Sequence, residues 1–269
     1  MKKINGVGLT KDGIDLYSKD DFLGMQTAGK LAAQILDEIG EFVYPGQSTA
    51  EIDRIIENKV SKIGAKSATI GYKGYRHASC ISINHVVCHG IPSEKKLKDG
   101  DILNIDVTLI YKGWYGDTSR MFVAGNLARK AERLIQVTHD ALFKGIEIVR
   151  PGITFGDIGH AIQEFVEKNR MSVVRDFCGH GLGRVFHAPP NVLHYGRPGT
   201  GARVEEGMFF TIEPMVNLGR PETKLLSDGW TAVTRDKTLS AQFEHAVGVT
   251  NDGCEIFTLS PRNRFHPTY

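Results

Sequence analysis

The chain has 269 residues, 41% hydrophobic and 24% charged, enough apolar side chains for a sizeable core and too many for intrinsic disorder. Lys and Arg total 33 against 31 Asp and Glu, and a net charge of +2 argues against nucleic-acid binding as the main activity. Four cysteines without a CxxC pair, no apolar run behind Lys2-Lys3 and no stretch of 18 apolar residues point to a cytoplasmic protein with reduced thiols, without leader or membrane span.

In chain order, Ser18-x-x-Asp21 has the form of a capping box, and Phe22, Met25, Ala28, Ala32, Ile35, Ile39 and Phe42 follow at helical spacing. This predicts a helix that stops before Pro45-Gly46. Ser48-x-x-Glu51 opens a shorter helix with Ile52, Ile55, Ile56 and Val60 on one face. Asn104–Tyr111 and Trp114–Ser119 flank Lys112-Gly113 and read as a β-hairpin with a two-residue turn. Leu127, Ala131, Leu134, Thr138, Ala141 and Leu142 trace a long helix that stops before Pro151-Gly152. Thr154-x-x-Asp157 then opens a helix with Ile158, Ala161, Ile162 and Phe165. Cys178–Gly183 reads as a glycine-rich loop, and Phe209–Pro214 and Ala241–Val249 as apolar strands carrying an acid.

The two Pro-Gly junctions align residue for residue. Val43-x-Pro45-Gly46-x-Ser48-x-x-Glu51-Ile52 matches Val149-x-Pro151-Gly152-x-Thr154-x-x-Asp157-Ile158 at an offset of 106. Asp99-Gly100-x-Ile102-Leu103-x-Ile105-Asp106 matches Glu206-Gly207-x-Phe209-Phe210-x-Ile212-Glu213 at 107. Two matches nearly in register predict related halves, about 14–125 and 126–260, inside one domain spanning 1–269. Each half is a helix pair followed by antiparallel strands, an α/β (α+β) architecture.

In the predicted hairpin Tyr111 faces Trp114 and position 106 faces 119. Asp117 then lies diagonal to Asp106 on one face, about 7–8 Å away. Such a pair either converges on a cation or, exposed at an edge, is simply solvated; taken alone the two readings stay open. Glu213 and Glu244, each in an apolar strand, and His180, among glycines, favour the first. Four carboxylates and one imidazole make an oxygen-rich set, suited to two divalent cations rather than one structural zinc. Such a pair of ions activates water and polarises a scissile group. The residues by themselves reach metal-assisted hydrolysis, with a two-metal phosphoesterase as one form of it.

The segments Cys80-Ile-Ser-Ile-Asn84, Cys88-His89-Gly90-Ile91-Pro92, Asn104-Ile105-Asp106-Val107, Gly116-Asp117-Thr118, Cys178-Gly179-His180-Gly181, Phe210-Thr211-Ile212-Glu213-Pro214-Met215 and Ser240-Ala241-Gln242-Phe243-Glu244-His245 are long and specific. Through them the chain, from about residue 14 to 260, resembles the type I methionine aminopeptidases in their compact bacterial form. The resemblance implies the pita-bread fold, two pseudo-symmetric halves with a central antiparallel sheet flanked by helices. It implies removal of the initiator methionine from nascent polypeptides when the second residue is small, by attack of a metal-bridging water or hydroxide. It implies Asp106, Asp117, His180, Glu213 and Glu244 as ligands of two divalent ions (cobalt, manganese, iron or zinc), Asp117 and Glu244 bridging, with Glu213 also moving a proton.

His89 resembles the residue that contacts substrate and helps the leaving amine, and His187 the one that holds the scissile carbonyl. Tyr72, Tyr75, Cys80, Phe186 and Trp230 are implied around the methionine side chain, and a monovalent cation near Asn84, Val86 and Ser240. A cytoplasmic monomer, with ribosome association, is likewise implied. His85 and Ala188 stand where the family commonly has acids, which is expected to change the charge at the cleft mouth. For His160, His194 and His266 a structural or surface role is expected. X-Pro aminopeptidases and prolidases share the fold but carry an extra N-terminal domain, and a silent relative acting as a binding protein would lack ligands that are present here.

Overall fold

The computed structural model describes residues 6–264, 266 and 267. A hairpin of β1 (Gly8–Leu9) and β2 (Asp15–Leu16) leads into α1 (Lys19–Ile39) and α2 (Thr49–Lys62). β3 (Lys66–Ser67), β4 (Cys80–Ile83), β5 (Val86–Cys88), β6 (Asp101–Tyr111) and β7 (Trp114–Ala124) complete the first half. The second half opens with α3 (Arg129–Glu147) and α4 (Phe155–Lys168). It continues through β8 (Ser172–Val173), β9 (Gly179–Gly181), β10 (Ala188–Val192), β11 (Phe209–Ile212) and β12 (Met215–Asn217). β13 (Thr223–Leu225), β14 (Ala232–Thr234), β15 (Ser240–Gln242), β16 (His245–Val249) and β17 (Cys254–Ile256) end it. Among the described residues every strand pairing is antiparallel, and no helix is long and apolar enough to cross a membrane.

The helix starts follow their caps. The Ser18 amide donates to Asp21 Oδ2 at 2.9 Å, and the Thr154 amide to Asp157 Oδ2 at 2.7 Å, each the return bond of a capping box. Such a cap stabilises a helix by about 1 kcal/mol. Ser48 caps α2 alone, because the Glu51 carboxylate turns to Arg54. α1 ends at Ile39, and Phe42 belongs to a following 3-10 turn over Gly40–Phe42.

The two halves repeat in three dimensions. Gly46 and Gly152 have φ of 96° and 97°. Their amides donate to the carbonyls of Leu97 (2.8 Å) and Val204 (2.9 Å). Isolated bridges join Ser48 to Lys96 and Thr154 to Arg203, again offset by 106 and 107. Each half owns a core, and strand alternation ties the two cores together. Leu103 and Phe210 point into the core of their own half, whereas Ile102 and Phe209 point into the other's. All four are fully or almost fully buried, and each such side chain contributes roughly 1.5–3 kcal/mol.

Leu127 precedes α3 rather than lying on it, and two further expectations fail in detail. Ala241–Val249 is not one strand: β15 pairs with β12 and β16 with β11, and the chain breaks at Phe243-Glu244. The break arises because the Glu244 amide donates to the Ser119 carbonyl of β7 (3.1 Å), pulling it off both neighbours. Cys178–Gly183 is not all loop either, since Gly179–Gly181 forms β9 between β10 and β11.

Candidate metal centre

The β6–β7 turn has φ of 48° at Lys112 and 79° at Gly113, the left-handed pair that suits a two-residue hairpin. Its register is the predicted one: Tyr111 opposes Trp114, Thr108 opposes Asp117 and Asp106 opposes Ser119. Asp106 and Asp117 therefore share a face. Below them α1 crosses the hairpin at Gly116, where an added Cβ would meet the Ala28 carbonyl at 2.2 Å. Only glycine lets the two backbones approach so closely. Thr108 Oγ1 donates to Asp117 Oδ1 at 2.7 Å.

The second half brings the other three. Glu213 follows β11, its Oε1 accepting from Thr211 Oγ1 (2.7 Å) and its Oε2 from Gln242 Nε2 (3.2 Å). Its amide donates to His194 Nε2 at 3.0 Å. Glu244 is fixed against β7, where Thr118 Oγ1 donates to its carbonyl at 2.7 Å. The His180 amide donates to Thr211 Oγ1 at 3.0 Å. Its Nδ1 is 3.2 Å from the Gly181 carbonyl, so Nδ1 is assigned the proton and Nε2 keeps a free lone pair. That Nε2 lies 3.5 Å from Asp117 Oδ2 and 3.7 Å from Glu213 Oε1. Ligand atoms of Asp117, His180 and Glu244 all fall within 4.8 Å of one another.

The electrostatics of this cluster call for positive charge. Burial, then the neighbouring acids, push Asp106, Glu213 and Glu244 well above the carboxylate range. Burial raises Asp117 to about 7, against the Thr108 hydrogen bond that opposes it. His180 falls to about 4, because burial disfavours its cation. Asp106 Oδ1 is buried with no hydrogen-bond partner. An orphaned acceptor of this kind costs about 1–3 kcal/mol, and more when charged. A divalent cation would satisfy it and hold all four carboxylates ionised. The donor set fits that group.

The cluster floors a cavity of about 590 Å³. Tyr72, Tyr75, Cys80, Phe186 and Trp230 all line it, as do His89 and His187. Trp230 packs edge-on to Tyr75 (4.9 Å between centroids), and Tyr72 lies 4.9 Å from Phe186. The Tyr75 hydroxyl donates to the Ser79 carbonyl at 2.9 Å, turning an apolar face to the cavity. Burial raises the thiols of Cys80 and Cys88 well above their ordinary range, leaving both neutral at pH 7. His89 is in the left-handed region at φ 55°, uncommon outside glycine and a mark of strain held by its surroundings. Burial lowers its pKa. The His187 ring lies among those of His180 (4.1 Å), Phe186 (4.1 Å) and Tyr72 (5.1 Å). The residue as a whole is exposed, but desolvation of its ring lowers its pKa, as do His180 and Lys73.

Other expected residues fall elsewhere. Asn84, Val86 and Ser240 lie outside the cavity, with the Ser240 amide donating to the Asn84 carbonyl at 2.9 Å. Ala188 lines the cavity but His85 does not: its carbonyl accepts from the Thr234 amide at 2.9 Å, and Lys95 and Lys237 are its charged neighbours. His194 is structural, as expected, but its bond to Glu213 makes it part of the centre's support. Thr108, Thr211 and Gln242 were missed in the sequence. Alternation could have found Thr108 and Thr211, each two residues from an acid on the same face. Phe177, edge-on to His89 at 5.4 Å, gave no signal beyond its place before Cys178-Gly-His-Gly.

Comparison with known proteins bears on the same residues. Residues 24–251 match metallopeptidase family M24. The chain is 57% identical to a methionine aminopeptidase of Rickettsia prowazekii (strain Madrid E), over 95% of this chain and 99% of that one. It is 51% identical to a methionine aminopeptidase of Escherichia coli (strain K12), over 91% and 94%. The crystal structure of methionine aminopeptidase from Rickettsia prowazekii superposes with a TM-score of 0.91, covering 91% of this chain and 100% of that one. With its buried cluster of acids and imidazole and its paired halves, this chain belongs to metallopeptidase family M24, on the methionine aminopeptidase side of it, and has that family's pita-bread fold.

Proposed function

We propose that this chain is one catalytic domain that hydrolyses the first peptide bond of polypeptides beginning with methionine, releasing that methionine when the second residue is small. The observation that carries the reading is the unpartnered, buried Asp106 Oδ1 within four crowded carboxylates, at the floor of an aromatic cavity. Asp106, Asp117, His180, Glu213 and Glu244 would hold two divalent ions. Bound there, cobalt, manganese, iron or zinc would supply an acidified water and a polarised carbonyl. A monovalent cation near Asn84, Val86 and Ser240 belongs to the same reading.

The protein's own groups do the rest. Glu213, oriented by Thr211 and Gln242, takes the proton from the attacking water and moves it onward. His187, uncharged at pH 7, donates to the oxygens of the tetrahedral centre. His89 contacts the substrate and assists departure of the new amine. Tyr72, Tyr75, Cys80, Phe186 and Trp230 accept the thioether side chain, whose sulfur makes favourable contacts with aromatic edges. Asp106 and Asp117 come from one half and His180, Glu213 and Glu244 from the other, so neither half is competent by itself. The reading carries with it a cytoplasmic monomer acting on nascent chains at the ribosome. The free cysteines are in keeping with a reducing compartment.

The test is incubation of manganese-loaded protein with Met-Ala-Ser and Ala-Ala-Ser, read by mass spectrometry. Loss of one N-terminal methionine from the first peptide alone is expected. Equal cleavage of both, or of neither, refutes the reading.

A further inference from the structure

The turn between β9 and β10 is strapped to the tip of the β6–β7 hairpin by an exposed arginine. The Arg184 guanidinium lies 3.7 Å from the centre of the Trp114 ring. Its Nη1 donates to the Lys112 carbonyl at 3.1 Å, and the Arg184 amide donates to Tyr17 Oη at 3.4 Å. The Tyr115 amide donates to the Gly183 carbonyl at 3.0 Å, closing the strap from the hairpin side. Trp114 is a firm base, 6% exposed and edge-on to Tyr17 with centroids 5.7 Å apart.

Two and three residues beyond Arg184 the chain delivers Phe186 and His187 to the cavity. Phe186 stacks on Tyr115, 5.7 Å between centroids and 16° between planes. The hairpin therefore holds this turn at both ends, through Arg184 on Trp114 and through Phe186 on Tyr115.

We propose that Arg184 is a positioning residue for the reaction. By seating the turn on Trp114 and the Lys112 carbonyl, it sets where His187 stands over the substrate carbonyl. The proposal rests on the role given to His187 above. A planar guanidinium can stack on an indole and donate in its own plane at once, whereas an ammonium makes a poorer substitute. Displacement of a catalytic group by about 1 Å can slow turnover about 100-fold.

The experiment measures kcat and KM on Met-Ala-Ser with manganese-loaded R184A, R184K, H187A and R184A/H187A proteins. R184A should lower kcat about tenfold at little cost in KM, metal content or thermal midpoint, as expected of a partial displacement. R184K should regain only part of the rate, and the double variant should be no slower than H187A. A parent-like kcat in R184A beside a slow H187A overturns the proposal alone. So do losses that multiply in the double variant, or a fall in metal content that accounts for the slower R184A. A parent-like kcat in H187A overturns the role of His187 and the proposal with it.

Discussion

Replacing Asp37 with Asn removes a buried charge that joins three parts of the chain. The Asp37 carboxylate, on the inner face of α1 and 0% exposed, accepts from Arg120 Nη1 at 2.6 Å. It also accepts from Ser260 Oγ at 2.8 Å and from the Arg262 amide at 3.2 Å. Arg120 is 5% exposed on β7, next to the Ser119 carbonyl that receives the Glu244 amide. Removing the acid breaks a buried ion pair beside the Arg120 guanidinium, a change that costs about 3–5 kcal/mol in comparable sites. At about 2–4 °C per kcal/mol for a chain near this length, the midpoint should fall by about 6–20 °C. Calorimetry and urea denaturation of chelator-treated D37N protein measure this without interference from bound metal. K144Q serves as contrast, because the Lys144–Glu147 pair is exposed and should cost under about 1 kcal/mol. A D37N midpoint within 2 °C of the parent, roughly 1 kcal/mol, would refute the reasoning.

Two further outcomes follow from the centre. A Cβ at Gly181 would meet the Pro189 carbonyl at 2.1 Å, so G181A should push β9 off β10, displace His180 and weaken manganese binding more than tenfold by calorimetric titration. Parent-like affinity would contradict that. Because burial and crowding raise the pKa of Asp106, Asp117, Glu213 and Glu244, the metal-free site holds protons at pH 7, with Asp117 near half-titrated. Metal binding must expel them. Affinity should therefore rise from pH 6 to 8, with proton release visible as a buffer-dependent enthalpy; pH-independent binding would be evidence against protonated acids. In the metal-free protein the sign is the opposite for stability. A carboxyl whose folded pKa is raised binds more protons folded than unfolded, so its contribution is lost as pH climbs toward the folded value. Above about pH 7.5 the buried imidazoles are neutral in both states and no longer offset this, and the midpoint should decline through pH 8.

What was legible in the sequence was local chemistry. Ser18-x-x-Asp21 and Thr154-x-x-Asp157 are self-contained caps, and Lys112-Gly113 sets its own hairpin register, so the pairing of Asp106 with Ser119 followed without tertiary information. The repeated Pro-Gly junctions became two turns of matching φ, each bonded into its own half. What was not legible depends on partners distant in the chain. Glu244 breaks its strand because Ser119 and Thr118, about 125 residues earlier, take its backbone. Gly179–Gly181 is a strand only because β10 and β11 flank it, a context that overrides the poor strand propensity of glycine. His194 bears no motif, and its function as a support of Glu213 exists only once β11 has been placed. His85, an odd residue in a familiar run, has Lys95 and Lys237 as charged neighbours, which no motif foretells.

The most direct test of the account is a manganese titration of chelator-treated protein, scoring bound metal per chain and methionine released from Met-Ala-Ser in the same samples. The account predicts no release without metal, and release that grows as up to two ions bind and disappears in D106N/D117N protein that remains folded. Release undiminished in excess chelator, or full activity of that folded double variant, would contradict it.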